Sequence, residues 1–153
     1  MVSVVVPTYK KTGQLVKNLS QNMKFLKGRE VIVVNDDPSE SIKDKLKKFD
    51  VTLLENEKNL GFAGAVDCGI RQATNKYVLL LNSDVILLDD SYKLAIRKLE
   101  KDTNLFAVSF AQKEKDGSIV GKNVLFWKEG FLQHRKADDV KTGENGWAEG
   151  GSS

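Results

Sequence analysis

The chain has 153 residues, with 24 basic against 21 acidic side chains, a formal net charge of +3, one cysteine and one histidine. A chain of this length forms one domain that can bury about 70% of its unfolded surface, and Cys68 has no partner for a disulfide, which fits a reducing, cytoplasmic setting. Charges of both signs are interspersed, so nothing marks a nucleic-acid surface, and with so few soft ligands any metal must be an oxygen-bound one such as magnesium or manganese.

The start, Met1-Val2-Ser3-Val4, enters a strand directly. It has no cationic leader, and no apolar run approaches about 20 residues, so neither a signal peptide nor a membrane span is expected. Val2 to Val6 is β-branched and closed by Pro7, which predicts a first strand ending in the loop Pro7-Thr8-Tyr9. Leu15, Val16, Leu19, Met23 and Leu26 then recur at helical spacing, with Thr12 as N-cap and Gly28 as terminator. Val31 to Val34 is a second strand, breaking into Asn35-Asp36-Asp37. Pro38-Ser39 opens a helix carrying Ile42, Leu46 and Phe49, and the basic run Lys43 to Lys48 is its solvated face.

Val51 to Leu54 predicts a third strand. The small residues of Asn59-Leu60-Gly61-Phe62-Ala63-Gly64 allow a tight entry into a helix that continues through Ile70 and Ala73, with its first turn close to a ligand. Tyr77 to Leu81, apolar without alternation, is read as the central strand, buried on both faces and ending in Asn82-Ser83-Asp84. Asp89 caps a helix with Tyr92, Ala95, Ile96 and Leu99 on one face, and Leu105 to Val108 supplies another strand. This βαβ alternation predicts a parallel sheet. Beyond residue 110 the turn signal Lys115-Asp116-Gly117 and the strand Val124 to Trp127 suggest a hairpin-like arm, residues 133–146 a polar loop, and Trp147 to Gly151 a segment that packs on something.

Three polar clusters, Pro7-Thr8-Tyr9, Asn35-Asp36-Asp37 and Asn82-Ser83-Asp84, therefore end strands that should be sheet neighbours. In open α/β sheets ligands bind outside the carboxyl ends of strands. A nucleotide needs an acceptor for an N–H of its base, a surface for its ribose and charge neutralisation at its diphosphate, and acids serve two of these needs.

In this order and spacing the chain resembles family 2 glycosyltransferases of GT-A fold. Val2 to Tyr9 is similar to the family's opening strand, Val31 to Asp37 to its second strand and acidic turn, and Asn59 to Ile70 to a segment of bacterial rhamnosyltransferase-like members. Asn82-Ser83-Asp84 stands where the family carries its metal-binding Asp-x-Asp motif. The resemblance implies a Rossmann-like, open, mainly parallel sheet with helices on both faces and a small C-terminal arm. Residues 1–110 would be the donor-binding core and 111–153 the start of an acceptor-side region. It also implies that Pro7, Thr8, Tyr9, Asp36, Gly61, Phe62, Asn82, Ser83 and Asp84 bind a UDP- or dTDP-sugar, Asp36 through the base N3–H and Asp84 through Mg²⁺ or Mn²⁺. Trp147, Gly150 and Gly151 would face a saccharide or lipid-linked acceptor, with peripheral membrane contact compatible with the chain.

Asn82 replaces the motif's first acid, Lys10 stands where the family has Asn, and Asp67 brings an anion close to the phosphates unless it turns away. No residue matches the family's catalytic base, so the chain is expected to be the nucleotide-binding part of a longer inverting enzyme. The alternative is a non-catalytic nucleotide-binding or assembly module of the same fold. A phosphoacceptor receiver domain is disfavoured by the Pro7-Thr8-Tyr9 strand end. Structural readings stand beside the functional ones: Asp37 shapes a turn, Gly61 and Gly64 allow close packing, Phe62 and Cys68 sit in the core, and His134 lies on a loop surface. Trp127 and Trp147 remain open between packing and acceptor contact. Asp36 and Asp84 are read as unpaired acids ending buried strands, with no structural duty that Asn or Ser could not meet.

Overall fold

The computed structural model describes residues 1–114, 116–121 and 123–136, apart from the side chains of Asn123 and Lys136. Four strands form a parallel sheet: β1 (Val2–Thr8), β2 (Glu30–Asn35), β3 (Thr52–Glu55) and β4 (Tyr77–Leu80), in the order β3-β2-β1-β4. The chain steps outward from β1 to β2 to β3, then returns to lay β4 on the other side of β1. The switch in strand order therefore falls between β1 and β4.

Helices cover both faces. On one, α1 (Thr12–Asn22), α2 (Lys43–Leu46) and α4 (Tyr92–Lys101) contribute Leu15, Leu19, Leu46 and Tyr92 to a core with Val4, Val6, Val31 and Val33. On the other, α3 (Gly61–Gln72) packs Ala65 and Cys68 on Val5, Ile32 and Val34. Alternate residues of β1 and β2 thus enter opposite cores, which is why these strands read as unbroken apolar runs. Two antiparallel pairs follow: β5 (Gln112–Lys113) with β6 (Ile119–Val120), and β7 (Asn123–Lys128) with β8 (Phe131–Lys136). The predicted α/β class, two-sided helical cover and C-terminal arm are all present.

Several boundaries differ from expectation. β4 is not central; among the described residues it pairs only with β1, leaving Tyr77, Val78 and Leu80 half-buried. Thr12 begins α1 rather than capping it, and its hydroxyl donates to Glu40 (3.2 Å). The helix stops at Asn22 instead of Gly28. A succession of i to i+3 turns carries Met23 and Leu26 on to the core, and Gly28, at φ +71°, closes them. Only one turn of helix forms after Pro38. Asp89, three residues ahead of α4, accepts the Ser91 amide (2.8 Å), and Ser91 occupies the cap position. Leu105 to Val108 forms no strand, although β4 has an unpaired edge among the described residues, and Phe106 is fully exposed. His134, expected on a loop, is an exposed residue of β8, so residues 133–136 are strand.

The sheet's amino end is braced by one carboxylate. Ser3, paired with Glu30 in the β1–β2 register, donates its hydroxyl to Glu30, which also accepts from the Thr74 amide (2.9 Å), the Thr74 hydroxyl (3.0 Å) and Asn75 Nδ2 (3.3 Å). These bonds, led by Ser3, hold the carboxyl below its ordinary range. The folded value lies below the unfolded one, so this stabilisation is complete above about pH 4.5 and is lost as pH falls through the lower folded value. Urea titrations between pH 5 and pH 3 should show Glu30→Gln losing stability less steeply than the unsubstituted protein.

Close packing of α3 depends on Gly69. A Cβ there would lie 2.4 Å from Val5 Cγ1 and 3.1 Å from Val34 Cγ2, both on fully buried valines. Gly69→Ala should therefore destabilise the fold by about 1–3 kcal/mol, read as a lower urea midpoint.

Candidate functional site

The carboxyl ends of β1, β2 and β4 carry the three polar clusters to one edge of the sheet. The Asp36 amide donates to Thr8 O (2.9 Å), which extends the β1–β2 ladder by one step and sets Asp36 beside Thr8. The Leu81 amide does the same to Val5 O (3.0 Å), placing Asn82 just past the end of β4. Thr8 and Asn82 therefore flank the switch between β1 and β4, where a crevice opens in sheets of this kind.

Two buried side-chain atoms among the described residues lack a hydrogen-bond partner, Thr8 Oγ1 and Asn82 Oδ1. Buried polar groups are nearly always satisfied, and leaving one unpaired costs about 1–3 kcal/mol. Both orphans stand at the switch, Thr8 at the end of β1 and Asn82 just past the end of β4, where a polar ligand would complete them.

Asp36, only 3% exposed, is far from unpartnered. Its Oδ1 accepts from Asn56 Nδ2 (2.8 Å) and the Leu60 amide (2.9 Å), while its backbone oxygen accepts from Asn59 Nδ2 (3.3 Å). The carboxylate thus ties the loop after β3 to the end of β2 and sits at the entry of α3, where the helix dipole favours negative charge. The expectation that Asp36 is unpaired is corrected. Gly61 opens α3 at φ +72° and donates its amide to Asn59 Oδ1 (3.1 Å), a backbone geometry that favours glycine.

Asp37 shapes the turn as read. The Ser39 hydroxyl (2.6 Å) and amide (3.0 Å) both donate to its Oδ1 and hold the carboxyl below its ordinary range. Asn35 locks the same turn by donating to Glu40 O (2.7 Å). Pro7 remains within β1. Tyr9 is 45% exposed at the strand end, with the Lys10 ammonium 5.0 Å from its ring centre, and Lys10 adopts φ +57°. Phe62 is 51% exposed and does not join the core, whereas Cys68 does pack there. Gly64 faces the Leu60 side chain; the close approach of α3 to the sheet falls to Gly69. Asp67 is paired with Arg71 (2.8 Å) on the exposed side of α3.

Asp84 is exposed, and no side-chain partner for it is found among the described residues. None of those residues form a group of three or more acids, histidines or cysteines able to hold a metal alone. Magnesium and manganese sites commonly take one or two carboxylates and complete their shell with substrate phosphate and water. The hard oxygens of Asp84 and the unpartnered Asn82 Oδ1 fit such a shared site.

Sequence reasoning missed the residues that hold the Asn82 segment. Asn18 Nδ2 donates to Ser83 O (3.0 Å); Asn22 Nδ2 donates to Val85 O (3.0 Å), and Asn22 Oδ1 accepts the Leu87 amide (2.8 Å). Both asparagines are buried. Their signal was available, since Asn18 and Asn22 interrupt the apolar stripe of Leu15 and Leu19 at helical spacing. Asn56 and Asn59 were missed likewise. Trp127, in β7, is 75% exposed, which leaves its packing reading without support among the described residues. Trp147, Gly150 and Gly151 lie outside the described residues.

Residues 3–147 match the family model for Glycosyl transferase family 2. The UDP-Glc:alpha-D-GlcNAc-diphosphoundecaprenol beta-1,3-glucosyltransferase of Escherichia coli is 27% identical over 81% of this chain and 51% of its own length. The poly-beta-1,6-N-acetyl-D-glucosamine synthase of Staphylococcus epidermidis is 33% identical over 61% of this chain and 24% of its own. The chain thus spans about half, or less, of these relatives. The mannosyltransferase of Pyrobaculum calidifontis, solved in complex with GDP-Man and Mn²⁺, superposes with a TM-score of 0.53 at 23% identity over 64% of this chain and 32% of that one. At that identity the likeness concerns the fold.

The two acids separate by experiment. Asp36→Ala removes a buried acceptor of two donors and should cost about 2–3 kcal/mol in urea unfolding, whereas Asp84→Ala, exposed and unpaired, should stay within about 0.5 kcal/mol of the parent.

Proposed function

Because the chain belongs to glycosyl transferase family 2, we propose that its carboxyl-edge site binds a UDP- or dTDP-linked sugar and serves transfer of that hexosyl or deoxyhexosyl group, with inversion, to a saccharide or lipid-linked hydroxyl. The observation that carries this reading is the pair of buried, unpartnered polar atoms, Thr8 Oγ1 and Asn82 Oδ1, at the carboxyl ends of the two strands that flank the switch. The naming of the Escherichia coli relative for a UDP-Glc donor and a diphosphoundecaprenol-linked acceptor supports the donor and acceptor classes. The likeness of Asn59 to Gly64 to rhamnosyltransferase-like members supports the deoxyhexosyl option.

Each residue has a role in this reading. Pro7, Thr8 and the half-exposed Tyr9 line the base and ribose. Asp36, already oriented by Asn56 and the Leu60 amide, accepts the base N3–H. Gly61 brings the first turn of α3 near the nucleotide, and Phe62 offers an exposed aromatic face there. Asn82 and Ser83 meet the diphosphate, and Asp84 holds the divalent cation. When bound, Mg²⁺ or Mn²⁺ supplies Lewis-acid stabilisation of the leaving diphosphate. Residues 1–110 form the donor side and 111–153 begin the acceptor side, with Trp147, Gly150 and Gly151 facing the acceptor; no catalytic base is assigned among residues 1–136. A cytoplasmic setting, where nucleotide sugars would be met, is part of the same proposal. No helix among the described residues is long and apolar enough to cross a membrane.

Calorimetric titration of UDP, dTDP and GDP with and without Mn²⁺ tests this. Binding of UDP or dTDP should require the metal, and Asp84→Asn should weaken it at least about tenfold, as loss of a charge-assisted contact does. Metal-independent binding, or an unchanged Asp84→Asn, would remove the metal assignment. Release of UDP or dTDP from sugar donors in the presence of acceptors then separates a transferase from a module that only binds nucleotide.

A further inference from the structure

We propose that Asn18 and Asn22 are positioning residues that hold the metal-bearing segment Asn82–Leu87 in its binding geometry, a role that rests on the donor-site reading above. The segment leaves β4 at the switch and has little regular structure of its own; a single turn bond, Val85 N to Asn82 O (3.0 Å), shapes its start. Three of its backbone groups, Ser83 O, Val85 O and the Leu87 amide, are instead satisfied by two side chains of α1. Asn18 and Asn22 stand one helical turn apart on the buried face of α1, so they meet the segment as a short amide ladder. Both side chains are buried, at 5% and 3% exposure, so these bonds are made away from bulk water.

This arrangement has a chemical consequence. Asp84 lies between Ser83 and Val85, whose carbonyls are the two that the ladder grips, so its Cα position is set from both sides while its carboxylate stays free of side-chain partners. A neutral amide suits the task. Asparagine supplies both a donor and an acceptor, as Asn22 must, without a charge to compete for the cation or shift Asp84. An aspartate at position 22 would keep the acceptor for Leu87 but set a carboxylate oxygen against Val85 O. Groups that orient metal ligands from behind typically cost about 10–100-fold in metal affinity when removed.

Two measurements test the ladder with Asn22→Ala, Asn22→Asp and Asn18→Ala, and with Ser20→Ala on the exposed face of α1 as control. The first is amide hydrogen exchange by NMR without ligand. The Leu87 amide should be protected in the parent and in Asn22→Asp, and should exchange markedly faster in Asn22→Ala, while β1 amides keep their protection. The second is calorimetry of UDP with Mn²⁺ against uridine without metal. Asn22→Ala and Asn22→Asp should weaken metal-dependent UDP binding about 10–100-fold and uridine binding less than about twofold. Equal losses for UDP and uridine would make the asparagines general packing residues and overturn the proposal. So would an unprotected Leu87 amide in the parent, or variants that bind UDP normally. If the parent shows no metal-dependent UDP binding, the donor-site reading fails and the metal-positioning role fails with it. The exchange result still decides separately whether the ladder holds the segment.

Discussion

β1 bonds on both of its edges, to β2 from Ser3 to Thr8 and to β4 from Val2 to Val5, and all seven of its residues are buried. A slip of one residue in either pairing would exchange the two faces of a strand, sending Val4 and Val6 into the core that now holds Val5. Register is therefore strongly specified, and with it the level at which Thr8, Asp36 and Asn82 emerge at the carboxyl edge. The site owes its existence to this pairing, because its clusters are separated by dozens of residues in sequence and share no local element.

What happens past the strand ends is governed by amide and carboxylate hydrogen bonding rather than by ion pairs. Ion pairs such as Lys45–Glu40, Lys47–Asp44, Arg71–Asp67 and Lys93–Asp90 join side chains that are 41% or more exposed, where such pairs contribute little. Asn35, Asn56, Asn59, Asn18 and Asn22, by contrast, each reach backbone or carboxylate groups of neighbouring loops. A side-chain amide offers donor and acceptor together and can stand in for a missing strand neighbour. Loops held in this way can carry polar groups to a ligand without bringing charges that the ligand would have to displace.

The two acids of the candidate site show how burial divides labour between like residues. Asp36 is enclosed and supports the fold at the junction of β2, the loop after β3 and α3, so any contact it makes with a nucleotide base comes from an already immobilised carboxylate. Asp84 is exposed and supports nothing among the described residues. On the proposed reading, preorganisation of the first would lower the entropy lost on binding, and freedom of the second would leave its lone pairs for a cation. At the opposite end of the sheet Glu30 does purely structural work, joining Ser3 to the loop that precedes β4.

The amino-acid sequence by itself determined the parallel α/β class, the four sheet strands and the three polar clusters that end them, because unbroken β-branched runs and their abrupt polar stops are local signals that burial on two faces imposes. It also carried the family likeness, through Val2 to Tyr9 and Asn59 to Ile70. Tertiary structure alone decided that β1 and β2 are inner strands and β4 is not, since which run acquires two neighbours depends on the route of the crossovers and not on hydrophobicity. It likewise decided that α1 stops at Asn22, that Leu105 to Val108 stays outside the sheet, and that Asp36 braces a loop from twenty residues away. Strand propensity cannot reveal whether a run is brought to an edge, and a polar residue in an apolar stripe does not announce its partner. Asn18 and Asn22 acquire their meaning only when packing brings the end of β4 across α1, because a hydrogen bond is specified by two positions in space and a sequence states only one of them at a time.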